Sequence, residues 1–393
     1  MAGSSVTDSG VSTADLTVDR ALSDIALSFR FLLDVTPIEP LRLREEFWST
    51  GRSPRFEYRD LEDDPELVAD RLAEVPVQEV EDPTLSALLL AKQRELQLMT
   101  EMLSCRGTPE FRALSIEQYG AVSPGLLSEA EAILTEVPRP SSGPGPFIDA
   151  RSFVEVARAE IDRYREVAPD IELHAELREG STGVMVSNGE LLVAPTARVE
   201  AARADALLQH EVGTHLLTFV NGGHQPLRTL ATGLAGHEET QEGLAVLAEH
   251  LVGGLTAGRL RQLAARVVAV HDMVGGAEFP EVYGGLVAQD VPKEQAFTIT
   301  MRVFRSGGLT KDAVYLRGLH ELVAHLGAGK GLTPLWLGKM PLTAVPLVED
   351  LLQRGVLSAP LLVPLYLDRT EVRDRLARLR QVTTLAELVQ EES

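Results

Sequence analysis

Leu207-Leu208-Gln209-His210-Glu211-Val212-Gly213-Thr214-His215, followed by Thr240-Gln241-Glu242-Gly243-Leu244-Ala245, is the part of this sequence that decides its reading. It is an H-E-x-x-x-H pattern with a second acidic helix close downstream. A catalytic zinc site takes three ligands from the protein and keeps a fourth position open for water. His210 and His215 offer two imidazole nitrogens and Glu242 offers a carboxylate oxygen. Glu211, next to the first histidine, is left over and can take a proton from water at the open position. The chemistry these residue types imply is that of a zinc hydrolase, and most directly a peptidase.

The spacing sets a condition. In the more familiar H-E-x-x-H pattern the histidines are four apart and share a helix face. Here they are five apart, and in a regular α-helix five residues turn through about 500°, leaving the side chains about 140° apart. Shared coordination therefore predicts a local widening of the π-bulge kind between His210 and His215. Gly213 lies inside the insert, where its low helix propensity eases distortion. H-E-x-x-x-H alone is short enough to arise by chance, so its surroundings matter. Ala206, Leu207, Leu208, Val212 and Leu216 are apolar, which predicts a buried helix whose charged members need partners. Glu242 is set in the equally apolar run Gly243-Leu244-Ala245-Val246-Leu247-Ala248, and a short Gly-rich connection suits the two helices to meeting.

The 393 residues are 44% hydrophobic and 24% charged, enough for a sizeable core in one large or two medium domains. Mean hydropathy is near zero, at +0.01, as in ordinary globular proteins. The formal net charge of −21 repels phosphate backbones and anionic bilayers, so neither nucleic acid nor membrane is an expected partner. One cysteine, Cys105, permits no internal disulfide and fits a reducing compartment; it reads as a small helical core residue. Residues 1–20 are rich in Ser, Thr, Gly and Asp and read as a disordered tail without the basic and apolar regions of a signal peptide. No window reaches about 18 uninterrupted apolar residues. A cytoplasmic location is expected.

Along the chain, helical periodicity predicts helices over Ala21 to Leu33, Asp64 to Ala73, Thr84 to Cys105, Phe111 to Tyr119 and Ser128 to Leu134, with Pro37 and Pro40 stopping the first. This N-terminal helical region, 21–140, carries no chemical motif. Val137 to Pro146 is a Pro- and Gly-rich boundary. Beyond it, 147–393 is predicted to form the catalytic domain. It has a helix from Asp149 to Val167, a strand from Ile171 to Leu177, and a hairpin from Gly183 to Val193 turning at Asn188-Gly189. A long helix then carries the histidines from Pro195 to Phe219, and another carries Glu242 from Glu238 to Leu251. Further helices span Arg259 to Val274, Lys293 to Phe304 and Ala313 to Leu326. The fold class is α+β, predominantly helical, with a small antiparallel sheet.

At these residues the chain resembles a known family. HEVGTH, NGGHQPLRTLATGLAG and ETQEGLAVLAEHL, with the hairpin GVMVSNGELLV and the run TMRVFRSGGLTKDAVYLRG, appear in order and resemble the QEGLA-motif proteins of bacteria. Those share a domain with the microtubule-associated tyrosine carboxypeptidases of animals. The resemblance covers the chain from about Ile148 onward, with a fainter likeness at FLLDVTPIEP. It implies a gluzincin-like zinc metallopeptidase with one Zn2+ per chain, His210, His215 and Glu242 as ligands and Glu211 as base. The substrate implied is the C-terminal tail of a peptide or protein. The animal relatives remove a C-terminal tyrosine from tubulin, but this chain has no obvious basic microtubule-binding extension. Dipeptidyl peptidases of the third type also use H-E-x-x-x-H, with a third ligand in a different, more distant acidic motif.

A carboxypeptidase also needs a cation for the terminal carboxylate and a donor for the oxyanion. Arg302, Arg305 and Lys311 cluster around Ser306-Gly307-Gly308, and Tyr315 lies one turn beyond Lys311. Arg302 or Arg305 is the expected clamp and Tyr315 the expected oxyanion donor; for each, solvation or core packing is the plainer alternative. His237, His224 and Asp312 are candidates to orient ligands or cations from behind. His250 closes an apolar helix and suits its dipole. His174, His271, His320 and His325 have no ligand-like setting. Two other functions fit the same residues: a non-catalytic, metal-binding regulatory protein, which would have no use for Glu211, and a zinc hydrolase of a small amide.

Overall fold

The computed structural model describes residues 11–389 apart from Phe29, 140–144, 180–182 and Asn188. The fold is built mainly from helices. Those that position the site are α1 (Thr13–Ser28), α2 (Pro83–Ser104), α3 (Pro124–Glu136), α4 (Ala150–Val167), α5 (Ala204–His210), α6 (Leu217–Gly223), α7 (His237–Leu251), α8 (Ala257–Val274), α9 (Lys293–Phe304) and α10 (Val314–Gly327). Capping fixes several starts. Asp82 accepts from the Thr84 and Leu85 amides ahead of α2, Asp149 from Ser152 ahead of α4, and Thr256 from Arg259 ahead of α8.

The strands are β1 (Phe147–Asp149), β2 (His174–Leu177), β3 (Val184–Ser187), β4 (Glu190–Val193) and β5 (Arg198–Glu200). β3 and β4 form an antiparallel hairpin, and β2 joins β4 on its other side in parallel. Gly189 at the turn has φ +82°, a conformation open to glycine at no steric cost; Asn188 lies outside the described residues. β1 pairs antiparallel with β5, setting Ile148 opposite Val199.

Leu22 of α1, Leu89 and Leu96 of α2, Leu247 of α7, Val267 of α8 and Leu319 of α10 belong to one contiguous apolar core. Helices from both sides of the Pro-rich segment thus bury their faces together. Two smaller clusters sit beside it, one of them holding Phe47, Phe279 and Phe297.

Several segments differ from expectation for identifiable reasons. Residues 13–20, read as tail for their polar composition, are helical. Their acidic groups work as buried acceptors: Asp15 bonds the Glu81 amide at 3.0 Å, and Asp19 bonds the Arg228 and Thr229 amides at 2.6 and 3.2 Å. Pro40, read as a helix stop, stands in the first turn of a further helix, Pro40–Thr50, where its missing N–H costs nothing. Pro280 stands likewise early in the helix Phe279–Ala288, which periodicity did not reveal. The long helix predicted from Pro195 begins only at Ala204, because Arg198–Glu200 is drawn into the ladder with β1. The core of the Pro-rich boundary, 140–144, lies outside the described residues.

Candidate metal centre

Between α5 and α6 the helix widens into a π-helical turn, Glu211–Leu216. This is the distortion that the five-residue spacing requires. A π-turn closes i→i+5, which brings residues five apart onto one face. The His210 and His215 ring centroids lie 5.1 Å apart, crossed at 79°. Side chains stitch the wide turn: Thr214 Oγ1 donates to Gln209 O at 3.0 Å, and Thr218 Oγ1 reaches Thr214 O and Gln241 Oε1, both at 2.8 Å. The last bond ties the widened helix to α7. Gly213 serves packing as well: a Cβ there would meet Gln209 Oε1 at 2.6 Å and the Tyr366 ring at 3.1 Å.

Glu242 projects from α7 so that its Oε2 lies 3.7 Å from His215 Nε2 and 3.9 Å from His210 Nε2. Atoms sharing a tetrahedral ion at bonds of about 2.0–2.1 Å stand roughly 3.4 Å apart, and these three donors, all within 4.8 Å of one another, could draw in to hold one small divalent cation. Among the described residues these three form the one group of His, Cys, Asp or Glu close enough to hold a metal. Glu242 owes its place to a close helix crossing. A Cβ on Gly243 would collide with the Gly318 backbone of α10, and one on Gly318 would collide with Glu239 O.

Glu211 is 7% exposed, and burial raises its carboxyl above the ordinary range against the pull of His210 and His215. Burial also acts upward on Glu242, but its hydrogen bond and charge contact with His215, and the nearby Lys311, hold it well below the usual range.

Behind His210 stands a carboxylate that the sequence reading passed over. His210 Nδ1 lies 2.9 Å from Glu249 Oε1, and Glu249 is itself held by Arg203 Nη2 at 2.6 Å and Arg259 Nη2 at 3.0 Å. Such a partner fixes the ring's orientation and leaves Nε2 to face Glu242 and His215. A signal for it was present: Glu249 follows Glu242 by seven residues, two turns on, on the same helix face in an apolar run.

The cationic side of the site is more committed than its sequence implied. Arg302 grips Asp312 through two bonds of 2.7 and 2.8 Å. The Arg266 guanidinium lies 4.8 Å over the Tyr315 ring, with its Nε 3.9 Å from the same Asp312. Lys311 Nζ pairs with Glu238 at 2.8 Å. Tyr315 is half-buried near Glu242, and loss of solvent followed by that neighbouring charge raises its phenol. Arg305, 5% exposed, donates to Thr36 Oγ1 at 3.0 Å. Asp312 therefore engages Arg302 directly, not a histidine ligand. His237 and His224 bond the backbone carbonyls of Leu234 and Val220, each at 2.9 Å, and not the three convergent side chains. Lys339, which the sequence did not single out, lies 5.3 Å over the Phe219 ring near Glu242, and burial brings its ammonium down to about 8.

The family profile described as "Microtubule-associated tyrosine carboxypeptidase" matches residues 45–384. The chain belongs to this family. Most of this member, including much of the helical region ahead of the histidines, falls within the match, and the family's activity is that of a carboxypeptidase-like hydrolase. No curated protein matches it. Among solved structures it is similar to a putative lipoprotein of unknown function from Shewanella oneidensis, at 12% identity and TM-score 0.40, over 74% of this chain and 72% of that one. Among the described residues of this carboxypeptidase-family chain, no helix is long and apolar enough to cross a membrane.

Proposed function

We propose that this chain is a zinc-dependent carboxypeptidase of the gluzincin type, removing a C-terminal residue from a peptide or protein. The observation that carries the reading is the approach of His210 Nε2 and His215 Nε2 to Glu242 Oε2, at 3.9 and 3.7 Å, across a π-helical turn. Zinc held by these three residues would supply Lewis-acid activation of water and of the scissile carbonyl. Glu211 is the base: buried beside both imidazoles, its carboxylate takes a proton from the attacking water as that oxygen bonds the carbonyl carbon. The same oxygen of Glu211 then returns the proton to the departing amine nitrogen as the C–N bond breaks. Tyr315 offers its hydroxyl to the oxyanion, and the cations near it face the negative end of the substrate.

The test compares wild type with Glu211→Gln on a library of short peptides, read by mass spectrometry, alongside metal analysis of both proteins. The expected result is one zinc in each and loss of single C-terminal residues in wild type, slowed about 10²–10⁴-fold in the variant. Identical products from both, or a wild-type protein that neither carries nor binds zinc, overturns the reading.

A further inference from the structure

Among the described cations around Tyr315, Arg305 makes no direct ion pair; the nearby Asp312 is already forked by Arg302. Arg302 and Arg266 share Asp312, and Lys311 holds Glu238. Arg305 is 5% exposed, yet among the described residues its guanidinium donates to a neutral hydroxyl, Thr36 Oγ1, and its buried Nε has no hydrogen-bond partner. It stands beside Tyr315 and Tyr119, and Tyr315 stands beside Glu242. A buried guanidinium without a direct carboxylate contact is costly, and its planar fork of donors matches a carboxylate's two oxygens.

The backbone that carries Arg305 is strained and pinned. Ser306, fully buried, has φ +58°, an unusual conformation for a side-chain-bearing residue. Each of its polar groups is tied to the N-terminal region. Its N–H donates to Tyr58 Oη at 2.7 Å, its Oγ to Val35 O at 3.1 Å, and its carbonyl accepts from Gly107 N at 2.9 Å. Gly307 follows at φ +107° against Thr108 O, leaving no room for a side chain. The bonds that hold the turn from Val35, Thr36, Tyr58 and Gly107 reach across roughly two hundred residues or more of sequence. The motif-free front of the chain thus builds the wall behind Arg305.

We propose that Arg305 is the group that receives the terminal carboxylate of the substrate, and that Tyr58 and Thr36 are positioning residues that hold it open for that anion. Arg302 already holds an anion, Asp312, through Nε and Nη2. This inference rests on the carboxypeptidase reading and deepens it.

Two hexapeptide libraries, alike except for a free or an amidated C-terminus, are titrated into full-length zinc-loaded Glu211→Gln protein. A preference for free acids of roughly ten- to hundredfold is expected, the range of a charge-assisted bond. Adding Arg305→Lys should erase most of that preference while zinc content holds. Tyr58→Phe and Thr36→Val should reduce it by smaller factors, with amide binding little changed, an effect that general loosening would not produce. Acid preference retained in Arg305→Lys overturns the assignment, as does equal binding, or no binding, of both libraries. An unchanged ratio in both Tyr58→Phe and Thr36→Val overturns the positioning role. Cleavage of the peptide library by wild type alone would leave the proposed function standing in each of these failures.

Discussion

The two sides of the site are built differently. The metal side consists of two adjacent helices, and its key residues are set by local spacing: five residues across a π-turn, then the Glu242 face of α7. The cationic side hangs on a strained turn after α9, held by bonds from the far N-terminal region. On the metal side the charged groups face inward to a common point. On the cationic side Arg302 and Lys311 are held in ion pairs, whereas Arg305 makes no direct one. The contrast shows that packed helices can arrange a site from residues set by short-range spacing, whereas a turn needs walls brought from far away in the chain.

The sharpest way to break this contrast is Asp312→Asn. Asp312 is 1% exposed and neutralises Arg302 directly, with Arg266 close by. Removing one partner of a buried pair costs about 3–5 kcal/mol, and the lower figure applies because Arg302 is 29% exposed. Denaturant unfolding should register that loss while metal content per folded molecule is retained. A large loss of zinc instead would mean that the two sides are one unit.

Glu249→Gln probes the other side. It weakens the hydrogen bond that orients His210 and leaves Arg203 and Arg259 without their charge partner. Zinc affinity should fall about 10- to 100-fold, measured by chelator competition. Unaltered affinity would show that the π-turn alone fixes the ring.

The smallest expected effect is a pH dependence of stability set by histidines outside the metal group. His237 is brought down to about 3 by burial, with Lys92 and Lys339 adding to it against Glu95. His250 is brought to about 4 by burial and by Arg375 and Arg378. Both folded values lie below that of the unfolded chain, about 6.5. Their contribution is therefore complete above pH 6.5 and is lost as pH falls toward the folded values. By pH 5 the loss is about 1–2 kcal/mol for each. Urea unfolding at pH 7.5 and pH 5 checks it, and His250→Asn should flatten its share.

The sequence disclosed these two sides unequally. The His210, His215 and Glu242 pattern, the need for a widened turn and most helix cores follow from periodicity and ligand chemistry, which act over a few residues. Glu249 was readable by the same rule. The commitments of Arg302 and Lys311 were not, because Asp312 and Glu238 are chosen by how α7 and the turn pack. Nor were the roles of Asp15, Asp19 and Tyr58, polar residues in segments without motifs, whose partners lie far away in sequence. Pro40 misled for a related reason: proline reads as a stop unless the start of a helix is already known.

The contact of Gly243 with Gly318 carries a consequence for anyone wishing to retune the centre. Where main chain rests on main chain, no rotamer can absorb an error, so the depth of the Glu242 carboxylate is gauged against a hard reference. Variation in the proposed metal preference is then to be sought in the side chains around the three convergent groups, since even one added methyl at that crossing would shift the whole helix that bears Glu242.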